Sequence, residues 1–264
     1  MAGFDGKVGF VSGGGTGIGL SCAQEIAERG GQVVIGGRRE DVLRDAAKQL
    51  GDHVDFVVCD VRDDASVESA IATTVQRHGS LDLAVNSAGV GSGGTVLNAT
   101  AEEFAAVLDT NLTGAYRCMR AEARAMRAAG GGSIVNISSI AGALTHRWMT
   151  AYCTSKAGLN MLTRCAADDL GEHGIRVNAV MPGIVPTPIW GGAVDGGPIV
   201  DEYLSLMPIS RVGTVEDVGK LVAFLLSDDA GWITGQCIGV DGGHTIRKGP
   251  DMAKFMSAGM PVER

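Results

Sequence analysis

The chain has 264 residues, 45% of them hydrophobic and 20% charged, which suits one large buried core and an ordinary globular protein. Its net charge of -8 and lack of any basic run argue against a nucleic-acid surface, and its 40 glycines follow no collagen-like period. The opening MAGFDGKVGFVSGGG lacks the basic and apolar regions of a secretory signal, and no run reaches the ~18 apolar residues of a membrane span, so a cytoplasmic location and no membrane partner are expected.

Short runs rich in Val and Ile alternate with longer amphipathic stretches. A strand is predicted over 7–11, followed by the glycine-rich SGGGTGIG and a helix over 17–29. Next come a strand at 32–36, a helix at 39–50, a strand at 55–59, a helix at 65–78 and a strand at 81–86. Thr100 and Glu103 have capping-box spacing and open a helix predicted over 101–128. A strand at 132–138, a helix at 151–173 and a strand at 175–181 follow. Thr214 and Asp217 open the last helix, 215–226, ahead of a final strand at 236–240. The strands show little polar alternation, as strands buried on both faces do. Such alternation implies an α/β fold: a single domain with a doubly wound, mostly parallel seven-stranded sheet and helices on both faces.

One stretch, 184–213, breaks the alternation with clustered prolines and glycines and is read as a substrate lid. The tail, 244–264, also falls outside it. None of the six cysteines forms a C-x-x-C pair or a Cys/His cluster of zinc spacing, so buried thiols in a reducing compartment and no metal are expected.

SGGGTGIG lies between a strand and a helix, the setting of a dinucleotide-binding turn. Glycines admit the backbone to a pyrophosphate, and a helix N-terminus offers N–H groups and a positive dipole end. Tyr152 and Lys156 in AYCTSKAG stand one turn apart on one helix face. Ser139, thirteen residues before Tyr152, closes a predicted strand at the carboxyl edge where such sheets carry reactive groups.

Taken together, these motifs resemble the short-chain dehydrogenase/reductase family over nearly the whole chain, from Gly6 to Gly243. The similar segments are GGTGIG in the glycine turn, CDV at 59–61, NSAG at 86–89, NISS at 136–139, YCTSK at 152–156, RVNAVMPG at 176–183 and ITGQCIGVDGG at 233–243. Ser12 stands where the family usually has threonine, and Ser87 where it has a second asparagine. The resemblance implies a Rossmann-type fold and hydride transfer between a nicotinamide dinucleotide and a ketone or secondary alcohol. By it, the cofactor residues are Gly13, Gly15, Thr16, Gly17, Ile18 and Gly19, then Asp60 and Val61 on the adenine side. Asn86, Ala88 and Gly89, the catalytic pair, and Pro182, Gly183, Ile184 and Thr187 at the carboxamide complete that set. Asn111, in DTNLTGAY, matches the family's helix asparagine, which holds a water of the proton path. Lys156 is implied to hydrogen-bond the nicotinamide ribose.

The chemistry explains the residue types. Carbonyl reduction needs a proton at oxygen, and free tyrosine, with a pKa of about 10, exchanges it poorly near neutrality. The ammonium of Lys156 and the positive charge of the oxidised nicotinamide are expected to lower that value. Ser139 is expected to donate to the substrate carbonyl. At the end of the second strand no acidic residue is present to hold both ribose hydroxyls; Gly37 is followed by Arg38 and Arg39, whose guanidinium groups suit a 2′-phosphate. NADP(H) is therefore favoured, with NAD(H) as the alternative.

The substrate wall is expected from Ser139, Ile140, residues 144–149 including Trp148, and the lid residues Ile189, Trp190 and Met207. It is mostly apolar, which suits a hydrophobic ketone or alcohol; His146 and Arg147 leave a carboxylate or a carrier phosphate open. A 3-oxoacyl-thioester reductase is one alternative, and a non-catalytic dinucleotide sensor or scaffold is another. The presence of Asn111, Ser139, Tyr152 and Lys156 together favours an enzyme. The resemblance also implies a homotetramer built on the helices at 101–128 and 151–173.

Overall fold

The structure is a computed structural model, and it describes residues 3–190 and 196–246, without the side chain of Trp190. Seven strands form one parallel sheet: β1 (Val8–Ser12), β2 (Gln32–Gly37), β3 (Val54–Val58), β4 (Leu83–Asn86), β5 (Gly132–Ile137), β6 (Ile175–Pro182) and β7 (Cys237–Val240). Their spatial order is β3-β2-β1-β4-β5-β6-β7. The order reverses between β1 and β4, which splits the crossovers there and opens a crevice at the carboxyl ends of the strands.

Helices cover both faces. On one lie α1 (Gly17–Ala27), α2 (Glu40–Leu50) and α8 (Val215–Leu226), packed with the core around Ile26, Ile35, Leu43 and Val222. On the other lie α3 (Asp64–His78), α5 (Gly114–Ala129) and α6 (Thr150–Leu170), around Phe10, Ile71, Met126 and Ile134. The strands are apolar on both sides because each side meets a helical layer; β1, for example, is buried at all five positions. The capping boxes at Thr100–Glu103 and Thr214–Asp217 form as their spacing predicts.

Three elements differ from the sequence expectation. The helix predicted over 101–128 is α4 (Ala101–Leu108), a π-helical turn (Asp109–Thr113) and then α5. The turn contains Asn111, whose side-chain amide is drawn to the backbone of Val90. The extra residue per turn that a π-bulge accommodates lets that side chain leave the helical register. The helix predicted to run to 173 ends at Leu170, with a 3-10 turn (Gly171–His173) after it. The irregular 184–213 stretch carries a helix of its own, α7 (Pro198–Leu206), begun by a proline in its first turn. Residues 191–195 of that stretch and the tail after Ile246 lie outside the described residues.

The turn from β1 into α1 is closed by direct backbone packing. A Cβ added at Gly19 would lie 2.3 Å from the Gly13 carbonyl oxygen, an atom with no side-chain freedom to yield. Gly19→Val therefore displaces the first turn of α1 from the sheet. Overpacking of this kind costs about 1–3 kcal/mol; urea unfolding should show a lower midpoint with an unchanged slope, and an unaltered midpoint would contradict this packing account.

Candidate active site

A cavity of about 770 Å³ runs along the carboxyl ends of the strands. One end is built by backbone. Gly13 has φ +69°, and a Cβ there would lie 2.7 Å from the Ala88 nitrogen, so the turn after β1 and the loop after β4 touch main chain to main chain. The N–H groups of Gly13 and Gly14 both bond the Gly36 carbonyl, at 2.8 and 3.2 Å. Further donors stand at the start of α1. The side chain of Thr16 makes no cap, and helical pairing begins with Leu20 N–H to the Thr16 carbonyl. Residues 17–19 thus present N–H groups at the positive end of α1, beside Gly15 and Ile18 in the cavity wall. A Cβ on Gly17 would meet Thr187 across the cavity at 3.4 Å. Glycine here keeps the gap between the two segments open.

Further along the same wall lie Arg38 and Arg39 after β2, and Asp60, Val61 and Arg62 after β3. Arg62 grips Asp60 in a fork, Nη2 to Oδ2 at 2.6 Å and Nε to Oδ1 at 3.0 Å. That contact, more than the nearby Arg38, holds the Asp60 carboxyl down at about 2. Asp60 is thus ionised throughout the ordinary pH range, with its Arg62 partner supplied two residues away. Sequence reasoning missed Arg62; an Arg two residues beyond an aspartate that closes an Asx turn was the available signal.

At the other end, Ser139, Ile140, Tyr152 and Lys156 share the wall with Pro182 and Gly183. Ser139 lies just beyond β5, and its Oγ accepts from Ala141 N–H at 3.1 Å, which fixes the hydroxyl at the strand's end. Tyr152 is its neighbour in the cavity wall. Lys156 is only 6% exposed. Its Nζ donates to the Ile137 carbonyl at 2.8 Å and lies 5.7 Å from the centre of the Tyr152 ring. Burial pushes this ammonium down to about 8. Burial also pushes the Tyr152 phenol up, opposed by the neighbouring Ser139 hydroxyl. Desolvation of the phenol thus works against the acidifying charge that Lys156 places beside the ring.

Asn111 stands behind this pair rather than in the cavity wall. Its Oδ1 accepts from Val90 N–H at 2.8 Å, and its Nδ2 donates to the Val90 carbonyl at 2.9 Å and to Ser155 Oγ at 3.1 Å. The π-helical turn is thereby tied both to the loop after β4 and to the turn of α6 between Tyr152 and Lys156. A Cβ on Gly89 would lie 3.3 Å from Asn111 Oδ1 and 3.8 Å from Lys156 Nζ, so these three positions converge.

Other expected residues are placed differently. Asn86 turns beneath the sheet, donating to Glu122 and Asn136. Gly19 packs against Gly13 rather than facing the cavity. The side chains of Ile184 and Met207 are buried together with Val200 in a small cluster under α7, because a strand exit and a helix end meet there. Trp148 is 58% exposed, with φ +66°, and its carbonyl accepts from Gly94 N–H. Ile189 does line the cavity, as do Val185, His146 and Met149. Tyr203, on α7, is a wall residue that sequence reasoning missed; it stacks with His146 at 6.2 Å between ring centres. An aromatic inside an irregular, lid-like stretch was the available signal. Among the described residues no cluster of metal-ligating side chains occurs and no helix is long and apolar enough to cross a membrane.

Comparison with known proteins gives the same picture. The family model described as Enoyl-(Acyl carrier protein) reductase matches residues 13–245. The chain is 38% identical over 248 residues to the trans-4-hydroxycyclohexanecarboxylate dehydrogenase of Sinomonas cyclohexanicum, covering 90% of this chain and 93% of that one. It is 35% identical over 241 residues to the 3-oxoacyl-(acyl-carrier-protein) reductase FabG of Chlamydia muridarum, covering 90% and 96%. A solved short-chain dehydrogenase/reductase from Mycobacterium ulcerans superposes with a TM-score of 0.90 at 34% identity, covering 97% of this chain and 95% of that one. The chain belongs to the short-chain dehydrogenase/reductase family and is an NAD(P)-dependent oxidoreductase acting on CH–OH donors.

Proposed function

We propose that the protein interconverts a compact apolar ketone and its secondary alcohol, with Tyr152 as general acid and base, and that NADP(H) is its preferred dinucleotide. The observation that carries the reaction is that Ser139 and Tyr152 share the cavity wall, with buried Lys156 one helical turn from Tyr152. When bound, the dinucleotide supplies or accepts the hydride. The protein's residues handle the oxygen. Tyr152 gives its phenolic proton to the carbonyl oxygen as that oxygen gains charge. Ser139, held by Ala141 N–H, donates a second hydrogen bond to the same oxygen. In the oxidative direction Tyr152 takes the proton back.

Lys156 and Asn111 support this step from behind. The Lys156 ammonium is anchored by the Ile137 carbonyl and has further donors to offer a ribose hydroxyl. Its charge favours the phenolate once the positive nicotinamide adds to it. Asn111 supports the relay through position, because it fastens the Val90 loop to the α6 turn that carries the pair. Gly13, Gly15, Thr16, Gly17 and Ile18 would cradle the diphosphate, and Asp60 and Val61 the adenine side. Ala88, Gly89, Pro182, Gly183 and Thr187 would bound the nicotinamide half. Arg38 and Arg39, exposed at the wall after β2, favour a 2′-phosphate over a bare ribose.

The opposite wall supports a small cyclic or aliphatic substrate: Ile140, Met149 and Ile189 are apolar, and Tyr203 and His146 present ring faces. The similarity to a hydroxycyclohexanecarboxylate dehydrogenase points the same way, and that to a 3-oxoacyl reductase keeps a thioester substrate as the second reading. A homotetramer assembled through α5 and α6 is the reading for assembly; Tyr116 and Met161 lie exposed on those helices, 48% and 55%.

Two measurements test this. Absorbance at 340 nm should fall when the protein is given NADPH and substituted cyclohexanones, faster than with an acetoacetyl thioester; a thioester preference would favour the second reading, and no turnover of any carbonyl would end the proposal. Arg38→Ala should raise the Kd for NADPH about tenfold, as loss of one charge-assisted contact does, and leave that for NADH within about twofold. An unchanged NADPH/NADH ratio would overturn the preference.

A further inference from the structure

Beneath the loop that follows β4 lies a carboxyl group with no part in the chemistry above. Glu122, on α5, is 0% exposed. Its Oε2 accepts from Asn86 Nδ2 at 3.0 Å. The same Nδ2 donates to Asn136 Oδ1 at 3.1 Å, and Asn136 Nδ2 donates in turn to Thr163 Oγ1 at 2.9 Å. Thr163 Oγ1 donates to the Leu159 carbonyl at 2.8 Å. Two oxygens are left over, Glu122 Oε1 and Asn86 Oδ1, both buried and without a hydrogen-bond partner. They belong to the same two groups that are already joined by one hydrogen bond. In the ionised form both are acceptors, and nothing pairs them. A carboxylic acid and a primary amide, by contrast, have matching edges: amide N–H to acid carbonyl, and acid O–H to amide carbonyl. One proton on Oε1 supplies the donor that both oxygens lack.

We propose that Glu122 is a positioning residue: as a neutral carboxylic acid it donates from Oε1 to Asn86 Oδ1, and the closed acid–amide ring holds the 86–93 loop in place for the dinucleotide. The second half of this inference rests on the reading of that loop as the cofactor wall. Residues 87–93 line the cavity immediately after Asn86, so a shift of Asn86 is carried directly into the main chain there.

The surroundings favour the neutral form. The titratable groups facing Glu122 are the thiols of Cys118, on its own helix, and Cys59, just after β3. Burial pushes both thiols up, so neither carries charge near neutrality. From β4 and β5 the facing groups are the amides of Asn86 and Asn136, from α6 the Thr163 hydroxyl, and α3 contributes the apolar Val67, Ala70 and Ile71 to this core. Arg117, nearest to Cys118, is held by Asp109. Among the described residues, no cation offsets an ionised carboxylate in this place, the costly arrangement. Burial accordingly pushes the Glu122 carboxyl up to about 8.

The test uses wild type, Glu122→Gln and Glu122→Leu. Glutamine reproduces the protonated edge, because its N–H can donate where the acid O–H does; leucine leaves the Asn86 amide unpaired. Difference infrared spectra of wild type minus Glu122→Gln should show the carbonyl stretch of a protonated carboxyl at pH 7, fading as pH passes about 8. Titration with NADPH should give Glu122→Gln the wild-type Kd within about twofold at pH 7, and Glu122→Leu a Kd raised about tenfold. Between pH 7 and 9 the wild-type Kd should rise relative to that of Glu122→Gln; Lys156 titrates in the same range but is common to both, so the ratio isolates Glu122. Absence of the protonated band in folded wild type overturns the acid–amide ring. A band together with unchanged affinity in Glu122→Leu overturns the link to the cofactor loop and leaves the ring standing.

Discussion

Lys156 carries the constraint on which the site depends: an ammonium taken out of water and given one protein acceptor, the Ile137 carbonyl. A buried charge with so little compensation is costly, and the fall of its pKa to about 8 records that cost. The geometry around it follows. The acceptor is the last residue of β5, so the lysine pins α6 to the sheet edge where Ser139 begins. One turn back on the same helix, Tyr152 is brought to the Ser139 hydroxyl. Between the two, Ser155 meets Asn111, which draws in the loop after β4. One buried cation thus fixes three segments from distant parts of the chain around a single point.

The cavity divides by chemistry along its length. At one end the chain offers main chain and guanidinium groups, with glycines keeping the backbone of two loops in contact. At the other it offers one phenol and one hydroxyl among apolar and aromatic side chains. Oxygen-rich anionic groups suit the first environment. A small carbonyl suits the second, where apolar walls strengthen each hydrogen bond to a developing charge. The same desolvation that strengthens those bonds opposes ionisation of Tyr152. A charge arriving with the oxidised nicotinamide therefore matters more here than it would in water.

Much of this was legible in the residues. Apolar runs without polar alternation gave the parallel sheet, because strands covered on both faces need no polar side. Thr100 with Glu103, and Thr214 with Asp217, marked helix starts because capping depends on local spacing alone. Tyr152 and Lys156 could be placed on one helix face for the same reason. Features that depend on distant contacts were hidden. The π-helical turn at Asn111 exists because Val90, some twenty residues away, offers its backbone. Ile184 and Met207 are sequestered by the small core that α7 creates, and Tyr203 enters the cavity wall by the same helix. Local periodicity carries no trace of these partners. Glu122 is the clearest case: Asn86 is 36 residues away, and only the fold sets the two together.

The central claim is that Tyr152 transfers the proton while the rest of the site binds and orients. Tyr152→Phe removes one oxygen from a wall otherwise left intact. Single-turnover reduction of an accepted ketone should slow by about 10²–10⁴-fold, the range of a positioned general acid. The Kd for the dinucleotide should stay within about threefold of wild type, because one neutral hydrogen bond at most is lost. A variant that binds the dinucleotide normally and reduces the ketone at close to the wild-type rate would contradict the account.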